Sequence, residues 1–473
     1  SRNMNLNAVG YVEISPWKGF KYRGQIDYKS YASSWKGMTK AYKINDSSDG
    51  QQASTSLTQN ETLGWNWGTT HTFNYVFDVS KHHFDALFGM EYSREGNNMG
   101  DYMQATATGF MFDPNGLDYA YLRNFTDRSK ATVDGTPASN DHSLMSYFGR
   151  INYDWNETYM LTAILRADGS SNFAKGHRWG WFPSFSAGWV VTNEKFMEKT
   201  RSWLDYLKLG TSWGQNGNEN IGQFMYTGTF AFGSDGLYSF NNDKESGTQG
   251  GYTNRLPNPE ITWETSQQFD AGFDGHFLRQ RLNLTFDYYV KKTKDLLLSV
   301  PIPPENGFSS NVQNAGTVEN KGIEIALSWR DRIGSDFEYN VGWNLAYNHN
   351  EVTKVNNGNH YINGSQNILS QGTGAISRME EGKPIGYFYG YKTEGVMQNA
   401  ADVQAYLDKN CGGKAENSVQ GSSIKPGDLK FVDTNGDGVV NDDDKTKIGD
   451  PHPDVTMGLN LGFNWKGLDF STT

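Results

Sequence analysis

One short segment carries the residue types that bind a hard metal ion. Residues 433–444 alternate oxygen-bearing side chains with small residues, and Gly438 stands at the sixth position, where a calcium loop turns sharply. Because Ca²⁺ takes about six to eight oxygen ligands, this spacing predicts a calcium site. Its expected ligands are Asp433, Asn435, Asp437, the backbone carbonyl of Val439, Asn441 and Asp444.

The last ligand departs from the usual pattern of such loops. The twelfth position holds Asp444, as in dockerin-type loops, where Glu is more usual. The shorter Asp side chain is a less reliable bidentate ligand, and no flanking helices are evident in the sequence. We expect a structural calcium that stabilises a long loop. The alternative is a solvated cluster of acidic turn residues that binds no metal.

Residue patterns for catalysis are absent from the sequence. It contains no Gly-x-Ser-x-Gly, no His-Glu-x-x-His and no glycine-rich phosphate loop that opens a helix. The single cysteine, Cys411, has neither a partnered histidine nor a positive setting nearby, so we interpret it as inert. We therefore predict that the chain is not an enzyme and that it has no catalytic residues.

Composition narrows the class of protein. The 473 residues carry 42 Lys and Arg against 53 Asp and Glu, and the resulting net charge of −11 argues against a nucleic-acid partner. Aromatic residues make up 14% of the chain, which argues against disorder. No run of about 20 apolar residues is present, which excludes a helical membrane protein. A membrane β-barrel remains open, since its strands are only half apolar.

Apolar and polar residues alternate along many segments of about 10–12 residues, which is the length of a membrane-spanning β-strand. Along 281–290 and 454–465, for example, every second residue is apolar. Alternation assigns one set to a lipid-facing surface: Leu284, Phe286, Ile325, Leu459, Leu461 and Phe463. It assigns another, polar set to the opposite face: Lys21, Arg23, Asp27, Arg150, Asn152, Asp154, Glu324 and Arg330.

Short and long connections alternate along the chain. Seven hairpins predict about 14 strands of an all-β fold, an antiparallel transmembrane β-barrel with short periplasmic turns and long extracellular loops. The alternative is a soluble or surface-attached β-rich carbohydrate-binding or hydrolytic protein. Short connections are expected near 15–19, 80–83, 154–157, 277–281, 331–336 and 465–467, a medium one with a helical pattern at 192–204, and long ones at 31–66, 96–142, 169–179, 215–261, 295–319 and 350–453.

Two of the long connections, 96–142 and 215–261, are rich in aromatic and amide side chains. Aromatic faces and amide hydrogen bonds suit sugars or peptides, although aromatic residues also pack loops against one another. The candidate substrate residues are Tyr102, Tyr119, Phe224, Tyr226 and Tyr238.

Segments spread in order over residues 140–473 carry a specific family resemblance. They are 147–153, 159–173, 179–184, 207–218, 258–264, 288–297, 320–324, 433–444 and 449–454. In these segments the chain resembles the SusC/RagA family of TonB-dependent outer-membrane transporters of Bacteroidetes. Residues 1–140 match that family only in general pattern.

The resemblance implies both a fold and a function. The family barrel has about 22 strands around a plug, so residues 1–473 would form part of one barrel domain, with the plug domain and the final strands absent from this chain. The implied function is nutrient uptake: import of an oligosaccharide or peptide across the outer membrane of a Gram-negative bacterium. The implied partners are a SusD-like lipoprotein, TonB through the absent N-terminal part, outer-membrane lipid, and a second transporter with its own lid.

Overall fold

The computed structural model describes residues 2–40, 42–43, 51–52, 56–96, 102–108, 132–136, 142–238, 248–303, 305, 307–308, 310–366, 368 and 372–473. Long strands dominate these residues, as the alternation predicts. Fourteen strands follow the chain in order along the main sheet. They are β1 (Arg2–Ile14), β2 (Phe20–Thr39), β3 (Ser56–Val79), β4 (His82–Gly96), β5 (His142–Trp155), β6 (Tyr159–Ser170), β7 (Trp179–Val190), β8 (Leu204–Asn218), β9 (Glu264–Phe277), β10 (Leu282–Lys294), β11 (Gly316–Ile333), β12 (Phe337–Val355), β13 (Val455–Trp465) and β14 (Leu468–Thr472).

The chain divides into two compact units. The first comprises 1–185, 219–229 and 257–263, and the second comprises 186–218, 230–256 and 264–473. In the first unit the strands run in order from β1 into β7, and in the second they run from the end of β7 to β14.

Six short connections and one of medium length, 191–203, join these strands into seven hairpins, as predicted. Between β5 and β6, the N–H of Thr158 donates to the carbonyl of Trp155 at 2.9 Å. The two residues between them, Asn156 and Glu157, have φ values of 51° and 53°. Positive φ at both central positions matches the twist of the turn to that of the flanking antiparallel strands.

Hydrogen-bonded register confirms the two faces that alternation predicts. Phe286 of β10 lies opposite Phe273 of β9 and Ile325 of β11, and Leu461 of β13 lies opposite Val341 of β12. Directly opposed residues share a face. The apolar side chains therefore form one continuous surface of the second unit's sheet, and polar side chains occupy the other.

Several strands are longer than the 10–12 residues that the sequence predicts. The strand β3 has 24 residues. The connection predicted at 31–66 is shorter than expected, because β2 continues to Thr39 and β3 begins at Ser56. Backbone pairing does not require an apolar face, so it continues where the apolar alternation stops. Alternation therefore marks only the apolar part of each strand.

Shorter strands lie within the connections. Tyr102–Thr108 pairs with the start of β3 and with Thr132–Thr136, so the connection predicted at 96–142 is not simply a loop. The remaining short strands are Tyr42–Lys43, Gln51–Gln52, Thr229–Tyr238, Thr248–Arg255, Leu297–Pro301, Ser310–Asn314, Tyr361–Asn363, Ser377–Glu380, Tyr387–Tyr391, Thr393–Val396, Leu429–Phe431 and Lys445–Gly449.

Helices are few and short. The helical pattern predicted at 192–204 forms 3₁₀ turns rather than an α-helix. No helix among the described residues is both long and apolar enough to cross a membrane. In the described ranges, helix α1 spans Ala400–Asn410, and the 3₁₀ helices are Val191–Asn193, Lys195–Thr200, Ala415–Asn417, Gly421–Ser423 and Asp442–Asp444.

The long connection between β12 and β13 has a hydrophobic core of its own. Helix α1 begins at its N-cap residue Asn399, whose side chain accepts the N–H of Asp402 at 2.9 Å. Tyr406 and Leu407 of α1 are buried against Met397 and other apolar side chains of the connection. The connection is thus a packed insertion rather than an extended loop.

Candidate functional site

The predicted calcium loop belongs to this insertion, and its own side chains close it. The two carboxylate oxygens of Asp433 accept the N–H groups of Gly436 at 2.6 Å and Gly438 at 2.8 Å. Both glycines have positive φ, 78° and 79°, a conformation that favours glycine. The loop therefore wraps around the side chain of Asp433.

The alternate positions of the loop repeat this arrangement. Oδ1 of Asn435 accepts the N–H of Asp437 at 2.9 Å, and Oδ1 of Asp437 accepts the N–H of Val439 at 2.8 Å. Oδ1 of Asn441 accepts the N–H of Asp443 at 2.7 Å. Each of these three side chains thus points along the loop and fixes the backbone two residues further on.

Asp444 closes the loop from a buried position. Its carboxylate accepts the backbone N–H of Thr434 at 2.7 Å and that of Asn441 at 2.8 Å. Burial on its own would raise the pKa of Asp444, but these backbone hydrogen bonds outweigh burial and hold the pKa below its ordinary value. Asp444 is therefore a carboxylate in the folded loop.

Residues of the insertion's hydrophobic core contact the loop and hold its backbone. The backbone N–H of Val440 donates to the carbonyl of Asn417 at 2.7 Å, and the Asn417 side chain donates to the carbonyls of Gly438 and Cys411. Val440 and Cys411 are buried in the same cluster. Burial raises the pKa of the Cys411 thiol, in agreement with its interpretation as inert.

The donor set of the loop suits calcium in its chemistry. Asp433, Asn435, Asp437 and Asp444 offer only oxygen, the ligand atom that Ca²⁺ prefers. An oxygen that accepts one amide hydrogen bond keeps a second lone pair for a cation. In the described part of the chain, however, no three His, Cys, Asp or Glu side chains are grouped closely enough to hold a metal ion. The calcium site therefore stays a prediction.

The polar face of the first unit's sheet is organised around Asp85 in β4. Its carboxylate accepts Nδ2 of Asn74 at 2.5 Å, Nη2 of Arg150 at 3.1 Å and Nδ2 of Asn152 at 3.2 Å. These residues come from three neighbouring strands. Arg150 and Asn152, which alternation assigned to this face, thus bind a carboxylate of the neighbouring strand, and the Arg150 side chain is half-exposed.

Further along the same face, Arg166 of β6 forms a second polar centre. Its Nε lies 2.8 and 2.9 Å from the two carboxylate oxygens of Asp168, and Nη2 donates to Oγ of Ser146 at 2.9 Å. The guanidinium lies 5.3 Å from the ring centre of Phe148. This face can offer charged and hydrogen-bonding groups to a polar solute.

A histidine between two carboxylates, which no sequence pattern indicates, lies at the loop end of β5. Nδ1 of His142 is 3.3 Å from Oε1 of Glu95, and Nε2 is 3.2 Å from Oε1 of Glu219. The three residues come from the end of β4, the start of β5 and the residue after β8. Only the fold brings them together.

An aromatic cluster at the connection of β6 and β7 was also missed. The Trp263 ring is buried 5.3 Å from the ring of Phe173 and 5.5 Å from that of Phe182. Its Nε1 donates to the carbonyl of Arg178 at 2.9 Å. This packing holds the segment before β9 in place.

The candidate substrate residues are only partly brought together. Phe224 and Tyr226 have ring centres 6.1 Å apart, and 42% of the Phe224 surface is exposed. Tyr102 and Tyr238 lie in the short strands Tyr102–Thr108 and Thr229–Tyr238. Tyr119 lies outside the described residues. A role of these five residues in substrate binding stays a prediction.

The chain is similar to known proteins in family, sequence and fold. The family model described as "TonB dependent receptor-like, beta-barrel" matches residues 4–408. TonB-dependent receptor P3 of Formosa agariphila is 32% identical over 401 residues, 85% of this chain and 37% of the relative. TonB-dependent receptor SusC of Bacteroides thetaiotaomicron is 33% identical over 340 residues, 70% of this chain and 30% of the relative.

Among solved structures, that of the RagAB peptide transporter aligns with a TM-score of 0.77 at 23% identity. The alignment covers 99% of this chain and 46% of that chain. The chain spans between 30% and 44% of the length of the curated relatives that it matches.

Proposed function

The chain belongs to the TonB-dependent receptor β-barrel family, and from this membership we propose that the whole protein imports an oligosaccharide or peptide across the outer membrane. The observation that carries the proposal is the family match over residues 4–408, together with the 33% identity to SusC. The structurally similar RagAB is a peptide transporter, so both cargo classes remain part of the proposal.

Family membership confirms three predictions made from the sequence. The fold belongs to the TonB-dependent transmembrane β-barrels, and the chain is an outer-membrane protein of a Gram-negative bacterium. The relatives are receptors and transporters, so the chain is not an enzyme. The alternative of a soluble carbohydrate-binding or hydrolytic protein is therefore set aside.

The polar sheet face supports a transport function. In the second unit, Asn344 of β12 lies over Gly458, and Asn340 lies over Gly462, so amide side chains cover the glycines of β13. Amide groups offer both donors and acceptors, which suit the hydroxyls of a sugar and the backbone of a peptide alike. In the first unit, the Asp85 and Arg166 clusters likewise place hydrogen-bonding groups on the polar face. Each unit by itself therefore offers groups that suit such a cargo.

A SusD-like lipoprotein is the proposed partner, and the insertion between β12 and β13 is its proposed docking site. Transporters of the SusC and RagA type work with SusD- or RagB-like lipoproteins and with TonB. Val396 and Leu429 lie opposite each other on a two-stranded ribbon of the insertion, and both are exposed. An exposed apolar pair on a well-packed insertion suits a protein partner. We extend the proposal to a pair of transporters, each with its own lid, driven by TonB.

Calcium is proposed as a structural ion of the same insertion. Asp433, Asn435, Asp437, Asn441, Asp444 and the carbonyl of Val439 would hold it. The ion would offset the repulsion between the carboxylates and stabilise the loop beside Val440. The support for this proposal is the oxygen-only donor set and the two positive-φ glycines of the loop.

The experiment that tests the transport proposal is a growth comparison. A strain that lacks the full gene is grown on single oligosaccharides and on single peptides as the limiting nutrient, beside the complemented strain. We expect a growth defect on one class of oligomer and none on its monomers, because monomers pass through general pores. Equal growth of both strains on every oligomer would contradict the proposal.

A further inference from the structure

The apolar face of the first unit's sheet has a gap at Gly149. In the register of the sheet, Gly149 of β5 lies opposite Phe88 of β4 on one side and opposite Leu165 of β6 on the other. The nearest residues of β5 on the same face are Tyr147 and Ile151. Large side chains thus surround a position that has none.

Two adjoining depressions meet at this gap. Their volumes are about 580 and 680 Å³, and Phe88, Gly149 and Leu165 line both of them. A Cβ atom placed on Gly149 would meet only the carbonyl oxygen of Leu87, at 3.8 Å. The space above Gly149 is therefore open, and it joins the two depressions.

The side walls of the depressions are aromatic. On one side, the rings of Phe73 and Phe88 stack with 6.4 Å between their centres. On the other side, Trp179 stacks on Tyr147 with 6.0 Å between their centres, and 62% of the Trp181 surface is exposed. Between these rings the lining residues are small, namely Ala86, Gly149, Ala163 and Ala167. The two joined depressions are called the trough below.

The polar residues that border the trough form hydrogen bonds on the other face of the sheet. Asn74 and Arg150 border the first depression, but their register positions place them on the opposite face, where both bind Asp85. A sugar or peptide needs hydrogen-bond partners when it is desolvated. The trough therefore does not suit the transported cargo.

We propose that this trough binds one acyl chain of an outer-membrane lipid. The chain is an outer-membrane protein, and the trough lies on the face whose exposed side chains are apolar, so hydrocarbon is the solvent in front of it. Lipid tails are as apolar as the protein surface, so the gain comes from van der Waals packing between the trough walls and an extended chain. The inference rests on membrane location and is independent of the cargo.

The test is a count of bound lipids on the full-length protein. Wild type and Gly149→Leu are purified in detergent, titrated with a two-chain phosphatidylethanolamine and measured by native mass spectrometry. The control is Gly210→Leu in β8, because a Cβ at Gly210 also meets no atom within 4 Å and Gly210 lies on the polar face. Equal circular dichroism and equal heat-modified gel mobility show that all three proteins are folded.

We expect wild type and Gly210→Leu to retain one tightly bound lipid that Gly149→Leu loses. A single-chain lysolipid should compete for the site, because only one acyl chain is held there. Equal retention by all three proteins would overturn the proposal. A wild-type dimer that Gly149→Leu dissolves would also overturn it, because a second copy of the protein would then be the occupant.

Discussion

The buried carboxylate of Asp444 accepts the backbone N–H of Thr434 at 2.7 Å, although the two residues are ten positions apart. This hydrogen bond joins the end of the acidic loop to its beginning. Within the loop, Val440 donates its N–H to the carbonyl of Asn417 and packs in the hydrophobic cluster that contains residues of helix α1. Helix α1 and the acidic loop therefore belong to one packed part of the insertion, and we expect them to loosen together.

The first prediction concerns this closure. Asp444→Asn keeps the size of the side chain but replaces one acceptor oxygen with a donor, so a buried backbone N–H loses its partner. We expect a local destabilisation of about 1–3 kcal/mol. The measurement is the rate of hydrogen exchange at the amides of Thr434 and Asn441. Asp443→Asn is the matched control, because Asp443 is exposed and its change should leave both rates unaltered.

The second prediction concerns calcium. Asp433→Ala combined with Asp437→Ala removes two charged ligands from one loop, so calcium binding by the full-length protein, measured by isothermal titration, should be lost. The double variant should still fold into the membrane, because the main sheet does not depend on the loop. A wild-type protein that binds no calcium at millimolar concentration would contradict the site.

The third prediction concerns pH. Lys430 lies 2.6 Å from Asp402 at the start of α1, and its ammonium, with the N–H of Gln398, holds the pKa of Asp402 below the ordinary value of 3.8. A lowered folded pKa means that Asp402 contributes stability above its ordinary pKa. That stability is lost as the pH falls through the lowered value.

Labelling of the buried Cys411 thiol measures how readily the cluster around helix α1 opens. With a disulfide reagent that reacts in acid, the labelling rate should rise as the pH falls below about 3.8. In Asp402→Asn this rise should be smaller, because the charge that titrates is gone. An identical pH profile for both proteins would show that Asp402 does not contribute.

The fourth prediction tests the two sheet faces. Leu461 lies opposite Val341 on the apolar face, and its neighbour Asn460 lies opposite Gly342 on the polar face. Leu461→Arg should destabilise the folded protein by roughly 2–4 kcal/mol if it lies near the middle of the bilayer. Asn460→Arg should cost much less. Folding titrations of full-length protein in lipid vesicles measure both, and equal costs would reverse the assignment of faces.

The fifth prediction tests the docking site of the lid. Val396→Asp with Leu429→Asp puts two charges on the exposed apolar pair, so co-purification of the lipoprotein should fall. Val419→Asp is the control, since Val419 is equally exposed on another part of the insertion. Undiminished co-purification from the double variant would place docking elsewhere.

Much of the sheet could be predicted from the sequence because successive side chains of a strand point to opposite faces. Alternation therefore identified the face of Leu461 and the short turn after Trp155 without knowledge of neighbours. Helix α1 also has a local origin, since Val403, Tyr406 and Leu407 are spaced i, i+3 and i+4 and so lie on one helix face.

Contacts between distant segments could not be predicted in this way. His142 and Glu219 are brought together by the order of the strands. Trp263, just before β9, packs against Phe173, just after β6. No local pattern encodes such pairs. The gap at Gly149 is of the same kind, because it depends on Phe88 and Leu165 being its neighbours across the sheet.

Direct uptake is the measurement that tests the central claim. Cells that carry the full-length protein are given a fluorescent oligomer of the class that supports growth, with TonB intact or deleted, and periplasmic accumulation is measured. The account predicts accumulation only when both the protein and TonB are present. Accumulation that is unchanged without TonB, or without this protein, would contradict a TonB-dependent import function.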